Sequence, residues 1–310
     1  MKVVFMGTPD FAAESLESLI KAGHEICAVF TQPDKPVGRR QVLTAPPVKQ
    51  TALKHGLPVY QPTTLKTGDS TEIIRELSPD VCAVVAYGKL LPDEILKIPK
   101  FGCVNVHASL LPKYRGASPI QWAIVCGEKQ TGVCTMRLDH GMDTGDVILA
   151  KTEPIHDDDT AESLWDRLSA IGADALCETL SLLDSGKATF TPQDDSLASY
   201  APIIKKSDGL LDFNKSAYTL DCLIRGLHSW PVAFTFADGK RLKVYKAKPT
   251  QHTGARPYEI IDESDELLIG CGGDTALIIE ELQAEGSKRM SALDFLRGKK
   301  IGSIGDTANG

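Results

Sequence analysis

The sequence predicts an α/β protein in which a doubly wound parallel sheet is followed by a small β-barrel domain. Strand-like apolar runs alternate with helix-like stretches in the first part of the chain, and an Asp-Gly pair near residue 238 separates two further strand-like runs. A chain of 310 residues with 42% apolar residues is also long enough for two hydrophobic cores. We therefore predict a first domain over residues 1–186, a linker over 187–206 and a second domain over 207–310.

The first domain opens with a strand, a turn and a helix. Residues 3–6 are all apolar, Gly7-Thr8-Pro9 is a turn, and residues 10–22 carry an apolar stripe at helical spacing. Strand-like runs follow at 26–30, 58–60, 81–86 and 103–106, and helix-like runs at 48–55, 71–77, 93–96 and 119–125. Strands separated by helices pair in parallel. The turn lacks the later glycines of a GxGxxG loop, which argues against a nicotinamide cofactor.

A long helix and a polar segment end this domain. Asp159-Thr-Ala-Glu162 has the spacing of a helix cap, and leucines then recur at helical spacing until Gly186. Residues 187–206 contain few apolar positions among Thr, Ser, Pro and Asp, which is typical of a linker on the surface.

The second domain has the pattern of short antiparallel strands. Asp238-Gly239 lies between the strand-like runs 233–237 and 242–245, and this pair suits the turn of a β-hairpin. Further strand-like runs at 267–270 and 276–280 favour a small β-barrel.

Composition excludes several classes of protein. No apolar run reaches the roughly 20 residues of a membrane helix, and the amino terminus has no signal-peptide pattern. We therefore expect a cytoplasmic protein without a membrane partner. We also expect a monomer. Neither the eight cysteines nor the seven histidines have the spacing of a metal site, so we expect reduced core thiols and no metal.

Asn105 and His107 are the first candidates for chemistry. They lie two residues apart at the end of a strand-like run, so their side chains share one face at the edge where doubly wound sheets bind ligands. The amide can donate to negative charge that develops on an oxygen, and the imidazole can move a proton near neutral pH. The pair suits attack of an amine on a carbonyl, although a histidine before a loop is also often structural.

Asp143 is the candidate third member. It lies in a turn rich in Gly and Asp over residues 138–146, after the strand-like run 133–137. Its carboxylate would hold the imidazole in place. His140 lies in the same turn but falls outside the strand face shared with Asn105, so we rank it below His107.

Basic residues cluster at three places. Lys35 to Arg40 forms a short loop with Pro and Gly, Lys205 and Lys206 lie in the linker, and Lys240 to Lys246 lies on the predicted hairpin. Each could contact phosphates or could be an ordinary solvated surface. The net charge of −7 argues against strong unspecific binding of nucleic acid. We interpret Trp230 as a core residue rather than a platform for base stacking.

Several segments together resemble the formyltransferase family that uses formylated tetrahydrofolate: NVHASLLPKYRGASPIQWA, GTPDF, VVAYGKLLP and MDTGD. Further segments extend the resemblance, in order, over nearly the whole chain to the members that act on tRNA: TQPDKPVGRR, RGLHSWPVAFT, LQAEGSKRM and FLRG. The resemblance implies an amino-terminal Rossmann-like domain and a carboxyl-terminal domain that resembles an OB barrel and binds tRNA.

By this resemblance Asn105, His107 and Asp143 fall on the family's catalytic triad. The family's pteridine pocket falls on backbone near residues 87–91 and 139–141. Its folate-binding loop falls on Ser109, Leu110, Leu111 and Pro112. The implied reaction transfers a formyl group from the co-substrate 10-formyltetrahydrofolate to the free α-amino group of methionine on initiator Met-tRNA, without a metal.

The resemblance also implies contacts to tRNA. The basic loop matches an insertion that wedges against the acceptor stem, and Arg39 matches its functional arginine most nearly. Arg40 replaces the commoner glycine, which leaves open which arginine acts. Lys205 and Lys206 are the candidate contacts in the linker.

Two other functions remain open on the sequence. The formyl group could pass to glycinamide ribonucleotide, to an amino sugar nucleotide or to water, but domain content and the basic loop favour tRNA. The chain could also be a non-catalytic RNA-binding protein, against which the intact Asn105, His107 and Asp143 count.

Overall fold

The computed structural model describes residues 1–38, 40–66, 69–254, 256–263, 266–298 and 300–305. The chain divides into two compact units. The first contains Met1–Pro119, Gln130–Pro154 and Trp165–Ala201, and the second contains Ile120–Lys129, Ile155–Leu164 and the chain from Pro202 onward. The domain boundaries given above, at residues 186 and 206, stay predictions.

The helices and strands follow in chain order. The helices are α1 (Asp10–Lys21), α2 (Pro47–Lys54), α3 (Ser70–Leu77), α4 (Asp93–Leu96), α5 (Pro119–Val125), α6 (Ala161–Asp184), α7 (Ala217–Gly226) and α8 (Ala292–Gly298). The strands up to residue 154 are β1 (Lys2–Gly7), β2 (Glu25–Phe30), β3 (Lys35–Val37), β4 (Val42–Thr44), β5 (Val59–Tyr60), β6 (Val81–Val85), β7 (Cys103–His107), β8 (Arg115–Gly116), β9 (Gln130–Arg137) and β10 (Val147–Pro154). The later strands are β11 (Tyr200–Ala201), β12 (Ala233–Ala237), β13 (Lys240–Gln251), β14 (Ile260–Glu263), β15 (Glu266–Cys271), β16 (Thr275–Ala284), β17 (Met290–Ser291) and β18 (Ile304–Gly305).

The first unit is built on a sheet with the strand order β10-β9-β7-β6-β1-β2-β5. The five strands from β7 to β5 pair in parallel, which confirms the predicted doubly wound sheet. The two remaining strands pair antiparallel with their neighbours. β9 and β10 are joined by a short turn, and such a connection can only produce an antiparallel pair. This turn carries Asp143.

Helices cover both faces of this sheet. Phe11 of α1 meets Trp165 of α6 edge to face, with ring centroids 5.3 Å apart, and both helices pack on one face. On the other face Ile74 of α3 and Ile95 of α4 join one buried cluster with Tyr87. The carboxyl ends of β1, β6 and β7 therefore lie between two packed layers, at the edge where ligands bind in such sheets.

The second unit is built on an antiparallel sheet with the order β14-β15-β16-β13-β12-β18, and β17 pairs with β16. The predicted hairpin is confirmed: Ala237 pairs with Lys240, and the two turn residues, Asp238 and Gly239, have φ of 49° and 72°. Positive φ at both positions is what this tight turn requires. The apolar faces of the strands, α7 and α8 enclose one core.

Two local expectations were wrong. Trp230 is 52% exposed, because it lies in the turn between α7 and β12 rather than under either element. The long helix is capped by Thr160 and Ser163 rather than by Asp159 and Glu162, since each hydroxyl accepts from the backbone N–H of the other residue. The carboxylate of Asp159 supports this cap by accepting from the Ser163 hydroxyl at 2.8 Å.

The cysteines are free thiols, and most of them are buried. Burial raises the pKa of Cys134 to about 11 and the pKa of Cys271 to about 12. Thiols of this kind are poor nucleophiles at neutral pH. Within the described residues, no helix is long and apolar enough to cross a membrane.

Gly7 is required by the packing of the opening turn. A Cβ at this position would lie 2.6 Å from Cβ of Ala12, 2.8 Å from Cε1 of Phe5 and 2.9 Å from the carbonyl oxygen of Val85. These neighbours are core groups that cannot move aside cheaply. The glycine therefore has a geometric role between strand and helix.

We predict that Gly7→Ala lowers the free energy of unfolding by about 1 to 3 kcal/mol, because overpacking of a core costs that much. Denaturant unfolding would measure the change. Gly298→Ala is the matched control, since no atom lies within 4 Å of the added Cβ there. Equal stability of the Gly7 variant and the wild type would contradict the packing argument.

Candidate active site

β7 delivers Asn105 and His107 to one face of the first sheet. The strand lies between β6 and β9, and its side chains alternate between the two faces. Val106 points toward Gly172 of α6, so Asn105 and His107 point to the opposite face. His107 is 6% exposed, whereas Asn105 is half-buried. The strand thus presents an amide and an imidazole on a shared face.

The ring of His107 is oriented by one hydrogen bond. Its Nε2 lies 2.9 Å from the carbonyl oxygen of Tyr114. A carbonyl can only accept, so Nε2 carries the hydrogen and Nδ1 is the nitrogen that gains or loses a proton. Nδ1 lies 3.6 Å from Oδ2 of Asp143. This distance is longer than a hydrogen bond and lies within the range of an ion pair when the imidazole carries a second proton.

Asp143 is held by the backbone beside it. Its Oδ2 accepts from the N–H of Gly116 at 2.8 Å, and its side chain is 16% exposed. Asp139 braces the same turn, because its Oδ1 accepts from the N–H of Gly141 at 2.9 Å and from the hydroxyl of Thr144 at 2.7 Å. The carboxylate therefore has a defined position beside the imidazole.

Asn105 is the third residue of the candidate site and lies two residues before His107 on β7. In the part of the chain that the structure describes, its side-chain amide has no hydrogen-bond partner. It remains available to donate to a ligand oxygen. The structure brings His107 and Asp143 together and places Asn105 two residues earlier on the same strand face.

The loop after β7 is shaped by its own contacts. Ser109 is fully buried, and its hydroxyl donates to the carbonyl of Lys113 at 2.7 Å. Leu110 packs so closely on Gly132 that an added Cβ there would lie 2.6 Å from Cδ2 of the leucine. The carbonyl of Pro112 accepts from the N–H of Ser199 at 3.3 Å. The Ser109 hydroxyl is turned inward, so it fixes the loop rather than facing a ligand.

The two backbone segments expected to form a pteridine pocket share one apolar cluster. Leu91 of the first segment and Leu138, the residue just before the second segment, pack against the cluster that contains the buried ring of Tyr87. The carbonyl of Tyr87 accepts from the hydroxyl of Thr8 at 3.1 Å and from the amide of Gln32 at 3.0 Å. The structure therefore brings the first segment close to the start of the second and fixes the backbone at Tyr87.

The residues expected to contact tRNA lie in both units. Arg40 is exposed near the tip of the short β3–β4 hairpin in the first unit, whereas Arg39 lies outside the described residues. Lys205 and Lys206 are exposed near the start of the second unit's main segment.

A polar network fixes the base of that hairpin. Asp34 precedes β3 and accepts from Nε2 of Gln61 at 2.7 Å and from Nζ of Lys49 at 2.8 Å. Hydrogen bonds from Gln61 and Lys49 hold the pKa of the Asp34 carboxyl below its usual value. The basic segment therefore begins next to a residue that is held in place by hydrogen bonds. The sequence did not indicate this network.

Sequence reasoning missed a group that surrounds the site. Arg115 is 2% exposed and binds Gln193 and Asp195. The sequence could have indicated Arg115, because it lies eight residues after His107 in the segment that carries the resemblance. Nothing in the sequence indicated Gln193 and Asp195, since they lie in the polar stretch interpreted as a linker.

Metal ligands form no cluster in the described residues: no group of three or more His, Cys, Asp or Glu side chains could hold a metal ion. The charged groups that define the site are instead the His107 and Asp143 pair and the buried Arg115.

Family models match both parts of the chain. The model described as "Formyl transferase" matches residues 1–180, and the one described as "Formyl transferase, C-terminal domain" matches residues 203–300. Fold and site therefore define a member of the formyl transferase family.

Curated relatives give the particular family. The chain is 49% identical over 306 residues to the "Methionyl-tRNA formyltransferase" of Geotalea uraniireducens (strain Rf4), which covers 98% of this chain and 97% of that protein. The chain belongs to the methionyl-tRNA formyltransferases.

Solved structures share the fold at lower identity. An N-formyltransferase from Helicobacter canadensis, solved with folinic acid and dTDP-3-aminofucose, has a TM-score of 0.67 at 22% identity and covers 92% of this chain and 99% of that one. A glycinamide ribonucleotide transformylase from Symbiobacterium toebii has a TM-score of 0.53 at 18% identity. It covers 63% of this chain and 94% of its own.

We predict that neutral His107 exists as the tautomer with hydrogen on Nε2, because the Tyr114 carbonyl can only accept. Long-range correlation spectra between ring protons and nitrogen-15 would measure the tautomer, with His107→Gln used to assign the signals. A spectrum with hydrogen on Nδ1 would contradict the orientation of the ring described above.

Proposed function

We propose that this chain transfers the formyl group of 10-formyltetrahydrofolate to the free α-amino group of methionine on initiator Met-tRNA. The observation that carries the proposal is the pairing of His107 with Asp143 beside Asn105, in a chain that aligns over 98% of its length with a methionyl-tRNA formyltransferase. An amide and an imidazole on one strand with a carboxylate from a neighbouring turn suit acyl transfer to an amine.

The proposed roles follow from the geometry of the three side chains. Attack of the amino nitrogen forms a C–N bond to the formyl carbon and moves an electron pair onto the formyl oxygen. The amide of Asn105 and protonated Nδ1 of His107 donate to this oxygen, since Nε2 is held by Tyr114. Collapse of the intermediate breaks the bond to the folate nitrogen, which gains the proton that the amine gives up. Asp143 stabilises the imidazolium and passes the amine proton through water.

The proposed folate site is the loop of Ser109, Leu110, Leu111 and Pro112 with the segments near residues 87–91 and 139–141. The braced backbone of the loop and the apolar cluster under Tyr87 support it. Backbone groups held in this way can recognise a flat heterocycle by hydrogen bonds, while apolar side chains cover its faces.

The proposed tRNA contacts are Arg39, Arg40, Lys205 and Lys206. Exposure of the three described residues supports this assignment, because a phosphate can reach them. We also propose that the enzyme works in the cytoplasm as a monomer, since one chain carries all the proposed residues. A mass of one chain by light scattering would agree with the monomer, and a stable dimer would contradict it.

The acceptor separates this proposal from its alternatives. A labelled formyl donor would be offered to charged initiator tRNA, glycinamide ribonucleotide and an amino sugar nucleotide in parallel. We expect label on the methionine alone. Label on either nucleotide, or release of free formate without an acceptor, would instead establish one of the other reactions.

We predict that His107→Ala lowers kcat for formyl transfer by about 100- to 10,000-fold, the usual contribution of a proton-transferring side chain. Binding of charged tRNA should be unchanged, because His107 is 6% exposed within the first unit. Single-turnover assays and filter binding would measure the two effects.

His55→Ala is the control for that experiment, since His55 is an exposed histidine at the end of α2, outside the segments proposed to bind folate or tRNA. It should keep kcat near that of the wild type. Wild-type turnover in purified His107→Ala would refute the assignment of the site.

We predict that Arg39→Ala combined with Arg40→Ala raises KM for charged tRNA by about 10- to 100-fold, since a charge-assisted hydrogen bond contributes about 1.5 to 3 kcal/mol. Folate binding should stay the same. Arg75→Ala, an exposed arginine on α3, is the matched control. Equal KM for tRNA in the double variant and the control would remove the hairpin from the proposal.

A further inference from the structure

Arg115 places a buried positive charge beside the proposed catalytic residues. Its Nε and Nη2 donate to Oε1 of Gln193 at 3.0 and 2.8 Å, and Nη2 also donates to Oδ1 of Asp195 at 2.7 Å. A buried guanidinium needs such acceptors, because an unpaired buried charge is strongly destabilising. The amide of Gln193 takes two of the three bonds.

The guanidinium of Arg115 fixes the orientation of the Gln193 side-chain amide. Since a guanidinium only donates, the amide oxygen must point toward Arg115 and Nε2 must point away from it. Nε2 then donates to the carbonyl of Asp143 at 2.9 Å and to the carbonyl of Gly145 at 2.7 Å. The Nε2 amide group of Gln193 thus donates both of its hydrogen bonds to the turn that carries the proposed catalytic carboxylate.

That turn needs support from outside. Asp143 has a φ of 56°, which residues with a side chain rarely adopt. The backbone at Gly145 lies so close to the carbonyl of Arg137 that an added Cβ would be 1.7 Å from its oxygen. Strained backbone of this kind persists only where the surroundings hold it. Gln193 binds the carbonyl of the strained Asp143 and the carbonyl of Gly145, two residues later.

We propose that Gln193, oriented by Arg115, is a positioning residue for the transfer reaction. It holds the backbone of Asp143 so that the carboxylate meets the N–H of Gly116 at 2.8 Å and lies 3.6 Å from Nδ1 of His107. Gln193 acts through Asp143 and touches no reacting group. The inference rests on the proposed function, because it requires Asp143 to take part in the chemistry.

Gln193→Glu separates positioning from simple stabilisation. The carboxylate keeps an acceptor for Arg115 but has no hydrogens for the carbonyls of Asp143 and Gly145. We expect kcat to fall by about 10- to 100-fold, since displacing a reacting group by about 1 Å can cost about 100-fold. KM for charged tRNA should change less than about twofold, because the lost interaction acts on the chemical step.

Gln193→Met is the second variant, in case the glutamate prevents folding. It removes the donors without adding charge and should lower kcat in the same way. The matched control is Gln50→Glu on α2, where the amide of an exposed glutamine donates to the carbonyl of Ala45 at 2.8 Å. This control loses the same kind of bond far from the turn, and its kcat should match the wild type.

Hydrogen exchange supplies a readout that needs no substrate. Amides of residues 139–146 should exchange faster in Gln193→Glu than in the wild type or in Gln50→Glu, while those of β1 and β6 should not change. This result would stand even if the acceptor were not tRNA, so it separates failure of the positioning role from failure of the proposed function. Wild-type kcat in both folded Gln193 variants, or unchanged exchange in this turn, would overturn the inference.

Discussion

The hydrogen bond between Nε2 of His107 and the carbonyl of Tyr114 is the constraint on which the rest of the site depends. It commits one ring nitrogen to the backbone and leaves Nδ1 to face Asp143. Tyr114 itself has a φ of 60°, so the loop accepts a costly backbone conformation at the residue that supplies this carbonyl.

Support for that conformation comes from residues 199–201. The N–H of Tyr114 donates to the Ser199 hydroxyl at 2.9 Å, and the N–H of Arg115 donates to the Ser199 carbonyl at the same distance. Gly116 then approaches the Ala201 carbonyl so closely that an added Cβ would lie 2.8 Å from its oxygen. With φ at 118° this position also favours glycine on conformational grounds. A segment remote in sequence therefore clamps the loop that orients the imidazole.

Strong local periodicity made most of the fold predictable, and its absence explains what was missed. The parallel strands are continuous apolar runs, and the β12–β13 turn contains the one residue pair that favours it most. β10 has a single buried residue, Ile148, and β8 and β11 are two residues long, so none of them has a comparable signal. The catalytic candidates were predictable because strand alternation and resemblance agreed. The proposed role of Gln193 was not predictable from the sequence, since its hydrogen-bond partners Asp143 and Arg115 lie 50 and 78 positions away.

The charge of the chain limits how tRNA can be held. With a net charge of −7, the protein as a whole repels a polyanion, so attraction must come from a few exposed cations. Each phosphate that a cation neutralises makes log K fall with log salt by a slope of about 0.7 to 0.9, so four contacts give only a moderate salt dependence. Little affinity is then available to tRNAs that lack the correct shape and acceptor end. On the proposed contacts, discrimination depends on where Arg40 is placed, and Asp34, Gln61 and Lys49 fix the base of the β3–β4 hairpin that carries it.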